Sequence, residues 1–131
     1  MAANEKILKP LKSTMAYLEK SMRALNKKDE NLFDSNLWHA AAELEYALFL
    51  FSIMFQNESS LLKWKPNPEL KKTEAGPMLT EAKNLLNKAE KCMVNEKLLD
   101  AYKSADIARH YLLKVHEDLV KKKREALKKK Q

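Results

Sequence analysis

Apolar residues recur every three or four positions through most of the chain, which is the spacing of one face of an α-helix. The pattern predicts four helices, at about residues 10–27, 31–56, 77–94 and 96–120. Pro10 and Pro77 stand at two of the predicted starts, where the missing N–H of proline costs no hydrogen bond. Residues 57–76, with their serines, prolines and a glycine, are predicted to be a long connection.

The second predicted helix differs from the others because it is apolar almost all round from Tyr46 onward. Its main seam runs from Phe33 to Phe55, and Phe49, Leu50 and Ile53 lie off that seam. A helix that is apolar on every side is either buried on most sides or packed against a second subunit. These three residues are therefore the predicted subunit contact.

The two halves of the chain resemble each other. DENLFD at residues 29–34 and NEKLLD at residues 95–100 match at an offset of 66, and the apolar seams upstream match at an offset of 67. Two amphipathic hairpins bury their seams against each other. The sequence therefore predicts an all-α fold, a four-helix up-and-down bundle of two similar helical hairpins joined by a long loop. Residues 1–120 form its single domain.

Charge is unevenly distributed along the chain. Residues 121–131, called the tail below, hold six lysines, one arginine and one glutamate, whereas residues 1–120 hold 18 basic and 17 acidic residues. The tail is predicted to be a basic helix that projects into solvent and frays, with RNA or an acidic protein as its partner. The candidate nucleic-acid contacts are Lys121, Lys122, Lys123 and Arg124 of the tail and, in the long connection, Trp64 between two lysines. The other reading is that the lysine run is simply solvated and that Trp64 is an anchor that packs the connection onto the bundle, which is the favoured reading of Trp64.

Composition limits the classes of function. One glycine among 131 residues disfavours a sheet fold and leaves no phosphate-binding loop. Residues 47–55, the longest apolar run, are too few to span a bilayer. His116 and Glu117 begin a zinc-protease pattern, but Val120 stands where its second histidine belongs. We expect no metal, cofactor or membrane span. A single cysteine, Cys92, favours a reduced thiol in the cytoplasm.

The stretch ARHYLLKVH, residues 108–116, carries the strongest candidate chemistry. Arg109 and His116 are seven residues apart and fall on one stripe of the fourth helix, roughly 10 Å apart along its axis. Two readings are open. In one, Asp106 pairs with Arg109 and His110 on a solvated helix face. In the other, Arg109, His110 and His116 form a catalytic group.

This stretch resembles the R-x4–6-H motif of HEPN domains (higher eukaryote and prokaryote nucleotide-binding), which are small helical bundles, often dimeric. In active members of that family the motif cleaves RNA, and the motifs of two subunits meet across the dimer. The resemblance implies that His116 would handle protons near the scissile phosphodiester and Arg109 would hold phosphate charge. His110 would assist or orient.

Two functional hypotheses follow. The leading one is a non-enzymatic interaction module that self-associates, with a dimer as the favoured state. The alternative is a HEPN-like protein that binds or cleaves RNA through Arg109 and His116 without a metal ion.

Overall fold

Four α-helices make up the described part of the chain. The computed structural model describes residues 2–55 and 74–129, and Trp64 and most of the predicted loop lie outside these ranges. The helices are α1 (Ala2–Asn26), α2 (Glu30–Met54), α3 (Ala75–Val94) and α4 (Leu98–Lys129). Neither described range contains a strand, so the predicted all-α four-helix fold is confirmed.

The helices form two hairpins, α1–α2 and α3–α4, that pack face to face. Helix α1 packs on α3 and α2 packs on α4, each pair running antiparallel. The α1–α2 turn, the start of α3 and the last buried turns of α4 all border one cleft, so they lie at the same end of the bundle. The end of α2 and the start of α3 therefore lie at opposite ends, too far apart for a short turn to join them.

Helix α1 begins at Ala2, two turns before the predicted start at Pro10. Pro10 lies inside the helix and cannot donate a hydrogen bond, which normally costs about 3 kcal/mol. Ile7, one turn earlier, is 1% exposed, and burying such a side chain contributes about 1.5–3 kcal/mol. Packing thus continues the helix through the proline. Pro77, by contrast, lies in the first turn of α3 as predicted.

Both hairpins turn in the same way. The backbone N–H of Asp29 donates to the Ala24 carbonyl at 3.0 Å, and that of Lys97 donates to the Cys92 carbonyl at 2.8 Å. Each turn also places a residue in the left-handed region, Lys28 at φ 59° and Glu96 at φ 60°. This is the hydrogen-bond pattern of a Schellman cap. The equivalent turn residues are 68 positions apart.

The buried faces repeat at the same offset of 68, so the offset of 66 from matching residues and the offset of 67 from the apolar seams were both wrong. Leu18 and Leu86 are buried equivalents, and so are Leu44 and Leu112. The polar positions match too, with Asn36 of α2 and Ser104 of α4 both buried. Matching residue types gave a wrong offset between the hairpins because many amphipathic segments share the same residue types, whereas the buried positions determine the register.

Helix α4 continues ten residues beyond Leu119, its last half-buried core residue. Residues 121–129 of this helix are exposed throughout. None of the helices in residues 2–55 and 74–129 is both long enough and apolar enough to cross a membrane.

The repeat predicts that equivalent core positions contribute equally to stability. Leu44 and Leu112 are at most 1% exposed, so replacing either with alanine should lower the free energy of unfolding by about 2–5 kcal/mol. Urea denaturation measures both. The control is Leu127→Ala, at a side chain that is 65% exposed, which should change stability by less than about 0.5 kcal/mol. An effect at one leucine only would contradict the equivalence.

Candidate functional site

A row of basic side chains lines the outer edge of the groove between α2 and α4. Arg109, His116 and Lys123 follow one another at seven-residue intervals on α4 and face α2. The Arg109 Nε–H donates to Glu45 Oε1. Lys123 Nζ lies 3.3 Å from Asp34 Oδ2, and His116 Nδ1 lies 3.8 Å from Asp34 Oδ1. The groove edge therefore places basic side chains of α4 beside carboxylates of α2.

His116 is packed more tightly than a surface histidine. Its Nδ1 atom is shielded from solvent and has no hydrogen-bond partner among the described residues, and its distance of 3.8 Å to Asp34 exceeds hydrogen-bond length. Its ring tilts against that of Trp38, with ring centroids 5.8 Å apart. The Trp38 side chain is itself 62% exposed. Trp38 thus covers His116 while presenting most of its own surface to solvent.

His110 does not join this row. Its Nδ1 lies 2.7 Å from the backbone carbonyl oxygen of Asp106, one turn earlier on the same helix. Because a carbonyl can only accept, Nδ1 is the donor in this hydrogen bond. His110 follows Arg109 by roughly 100° around the helix. The structure therefore places Arg109 and His116 on one groove edge and His110 beside it, and the three side chains do not converge.

The local pairing expected for Asp106 differs from the contacts observed. Arg109 bonds to Glu45, 64 residues away in sequence, and His110 bonds to the Asp106 backbone rather than to its carboxylate. Burial raises the pKa of the Asp106 carboxyl above its ordinary value. The charges of His110 and Arg109 oppose this rise, and the charge of Glu45 adds to it.

Tyr102 extends the same face of α4 toward the other end of the bundle. Its ring stands edge-on to Phe51 at 5.7 Å and to Phe55 at 6.3 Å. Burial raises the pKa of its phenol, the charge of Asp106 raises it further, and Arg109 lowers it. An aromatic cluster therefore closes this end of the α2–α4 groove.

The outer face of α2 carries four large apolar side chains that are more than half exposed, called the α2 stripe below. They are Trp38 at 62%, Tyr46 at 54%, Phe49 at 58% and Ile53 at 51%. Leu50 instead is half-buried and packs against the core. Of the three predicted subunit contacts, Phe49 and Ile53 thus lie on the stripe and Leu50 does not. Tyr46 was missed, although its spacing to residues 49 and 53 is helical.

A cleft of about 560 Å³ opens where the α1–α2 turn, the start of α3 and α4 meet. The apolar residues lining it include Leu25, Phe33, Met78 and Leu119. Charged residues of both signs also line it, among them Lys122 and Glu125. No residue predicted to be catalytic lines this cleft, so the candidate chemistry lies apart from it.

The described tail presents six cations and one carboxylate to solvent. Lys123 pairs with Asp34, and none of the other five forms an ion pair within the described ranges. Among the residues that the structure describes, no group of three or more His, Cys, Asp or Glu side chains could hold a metal ion.

Comparisons with protein-family models, with curated proteins and with solved structures find no match for this chain.

The raised pKa of Asp106 predicts a pH-dependent effect of Asp106→Asn. The folded state holds the Asp106 proton more tightly than the unfolded state, so the carboxyl favours folding in acid and loses that contribution as the pH rises through its folded-state pKa. At pH 7 the asparagine variant should therefore be the more stable one, and its advantage should shrink as the pH falls through the raised folded-state pKa toward about 4, the ordinary pKa of an aspartate.

Thermal unfolding followed by circular dichroism between pH 3 and pH 7 measures this difference. Glu117→Gln, at an exposed position of the same helix, controls for the loss of one negative charge. A wild-type protein that is more stable than Asp106→Asn at pH 7 would contradict the expected sign.

Proposed function

We propose that this protein is a non-enzymatic helical module that self-associates through the outer face of α2. The observation that carries the proposal is the α2 stripe, in which four large apolar side chains on one helix are each more than half exposed. Single exposed apolar residues are ordinary on protein surfaces, whereas a contiguous group of this kind marks an interaction site.

The spacing of the stripe suits a second copy of α2. Trp38, Ala42, Tyr46, Phe49 and Ile53 follow one another at steps of four, four, three and four residues. This is the spacing of a seam between two packed helices. An antiparallel pair of α2 helices around a twofold axis near Tyr46 would bring Trp38 of each copy toward Ile53 of the other. A twofold contact of this kind uses the same patch on both copies.

Charge also favours this partner. Glu45 is the carboxylate next to the stripe, one turn before Phe49, and Arg109 of the same chain is hydrogen-bonded to it. An interface centre loses affinity when it buries an unpaired charge. Because Arg109 neutralises Glu45 within each copy, two stripes can approach without two bare carboxylates meeting.

The aromatic content of the stripe is that of an interface centre. Each aromatic side chain can bury about 150–250 Å² when covered, and the stripe has three of them. A stable interface needs roughly 800 Å² from each partner. The stripe and its flanking residues on α2 and α4 are therefore expected to supply the anchor residues, with polar groups at the rim.

Self-association predicts a mass of twice 15.2 kDa by light scattering after size-exclusion chromatography. Phe49→Asp places a charge at the centre of the stripe and should convert the dimer to a monomer without unfolding it, since Phe49 lies outside the core. Val94→Asp is the matched control, because Val94 is 72% exposed at the far end of α3. A wild-type protein that is monomeric at micromolar concentration would refute the proposal.

A second partner is proposed for the tail. Nine exposed helical residues with six cations and one carboxylate support binding of RNA or an acidic protein at this end of α4. Removing residues 121–131 should abolish such binding. The affinity of the full chain for a polyanion should also fall steeply with salt.

RNA cleavage by Arg109 and His116 is the alternative proposal. Its support is that both side chains line the same groove edge, but Arg109 must first leave Glu45 to hold a phosphate. If the chain cleaves a mixed-sequence RNA, His116→Ala should stop the reaction while the helical content stays unchanged. Equal rates for wild type and variant on that RNA, followed by gel electrophoresis, would rule this alternative out.

A further inference from the structure

The cations of the tail are not spread evenly around α4. Lys121, Arg124 and Lys128 follow one another at steps of three and four residues and so share an arc of roughly 60°. This arc lies opposite the buried face formed upstream by residues such as Ala108 and Leu112. These three residues are called the basic ridge below. Arg124 and Lys128 face away from the bundle, and Lys121 also borders the cleft beside the α1–α2 turn.

The bundle leaves the basic ridge unneutralised. Within the described residues, none of its three side chains has an ion-pair partner, whereas Lys123 on the groove side is paired with Asp34. Glu117, one turn before the ridge on the same arc, marks where the positive surface begins. Glu125 lies beside the ridge, between it and the bundle-facing cations. Like charges three and four residues apart disfavour a helix, so an anionic ligand would relieve this repulsion.

The form of the ridge favours a phosphate chain over an apolar surface. Lys121 and Lys128 are about 10 Å apart along the axis, and one strand of a duplex presents a charge every 3.4 Å or so along its axis. The ridge itself has no apolar side chain with which to anchor in lipid or in a protein core. Arg124, at its centre, can bind a phosphate with two parallel hydrogen bonds.

We infer that the basic ridge of Lys121, Arg124 and Lys128 binds the phosphodiester backbone of a nucleic acid. This inference rests on the partner proposed above for the tail and assigns that partner to one face of the helix. It requires no base contacts, so binding is independent of sequence. The α2 stripe lies on α2 and the basic ridge on α4, so nucleic-acid binding by the ridge does not require self-association.

The test compares two triple variants with equal loss of charge. The ridge variant is Lys121→Ala, Arg124→Ala and Lys128→Ala. The control variant is Lys122→Ala, Lys123→Ala and Lys129→Ala, which removes cations from the sides of α4 nearer the bundle. Every substituted residue is exposed, so both variants should fold like the wild type, which circular dichroism checks.

Binding is measured by fluorescence anisotropy with two probes, a labelled 20-base-pair DNA duplex and a labelled 20-nucleotide single-stranded RNA, each between 50 and 200 mM salt. The ridge variant should bind the duplex at least about tenfold more weakly than the control variant at 50 mM salt. Its slope of log affinity against log salt should be lower than that of the wild type by about 2–3, since each phosphate contact contributes about 0.9. The RNA probe shows whether single strands bind through the same three residues.

The other possible outcomes show whether the basic ridge alone is wrong or whether nucleic-acid binding by the tail is wrong as well. Loss of binding on deletion of residues 121–131, with equal weakening by both triple variants, would keep the tail as the binding element and overturn the ridge. No binding of either probe by the full chain would overturn both. Binding that the deletion leaves unchanged would do the same. Tighter binding to vesicles containing anionic lipid than to either nucleic acid would replace the backbone with a membrane surface and overturn the ridge's assignment.

Discussion

The packing of α2 against α4 is the constraint on which the rest of the structure depends. The buried positions of these two helices include Ala40 and Ala47 on α2 and Ala101, Ala105 and Ala108 on α4, all fully excluded from solvent. Such small side chains leave room in the core for the neighbouring helices. The longer side chains at the groove edge then meet across it, which is why Arg109 reaches Glu45 and Trp38 covers His116. One face of α2 packs on α4 and α1, and among the described residues no other helix covers its outer face.

The sequence predicts those parts of the fold that depend on periodicity. The seams of α2 and α4 are buried as their spacing indicates, since a helix with many turns averages over single exceptions. The start of α1 was not predictable in this way, because the burial of Ile7 against other helices outweighs the local preference of Pro10. The register of the repeat was also missed by one or two positions. The identity of a residue does not show which side of its helix faces the core, and the register of the repeat depends on that side.

For the candidate site, too, the sequence predicts what lies on one helix and does not predict contacts between helices. Spacing on α4 correctly placed Arg109 and His116 on one stripe beside the core, because both lie on the same helix. Their partners, Glu45 and Asp34, lie far away in sequence, and nothing local indicates them. Asp106, three residues from Arg109, was the obvious partner and is not the one observed. The ion pair that occupies Arg109 also neutralises Glu45 beside the α2 stripe, so the residue that looks most catalytic favours the apolar contact proposed for that stripe.

The 68-residue repeat affects which hairpins can pack together during folding. Each hairpin presents a nearly equivalent buried face to the other, so the core alone does not distinguish a hairpin of the same chain from that of a neighbour. Covalent linkage provides the distinction, because it keeps the two hairpins at a high effective concentration. At protein concentrations approaching that value, two chains can exchange hairpins and rebuild the same core twice. One chain thus resembles a dimer of two hairpins that are covalently linked.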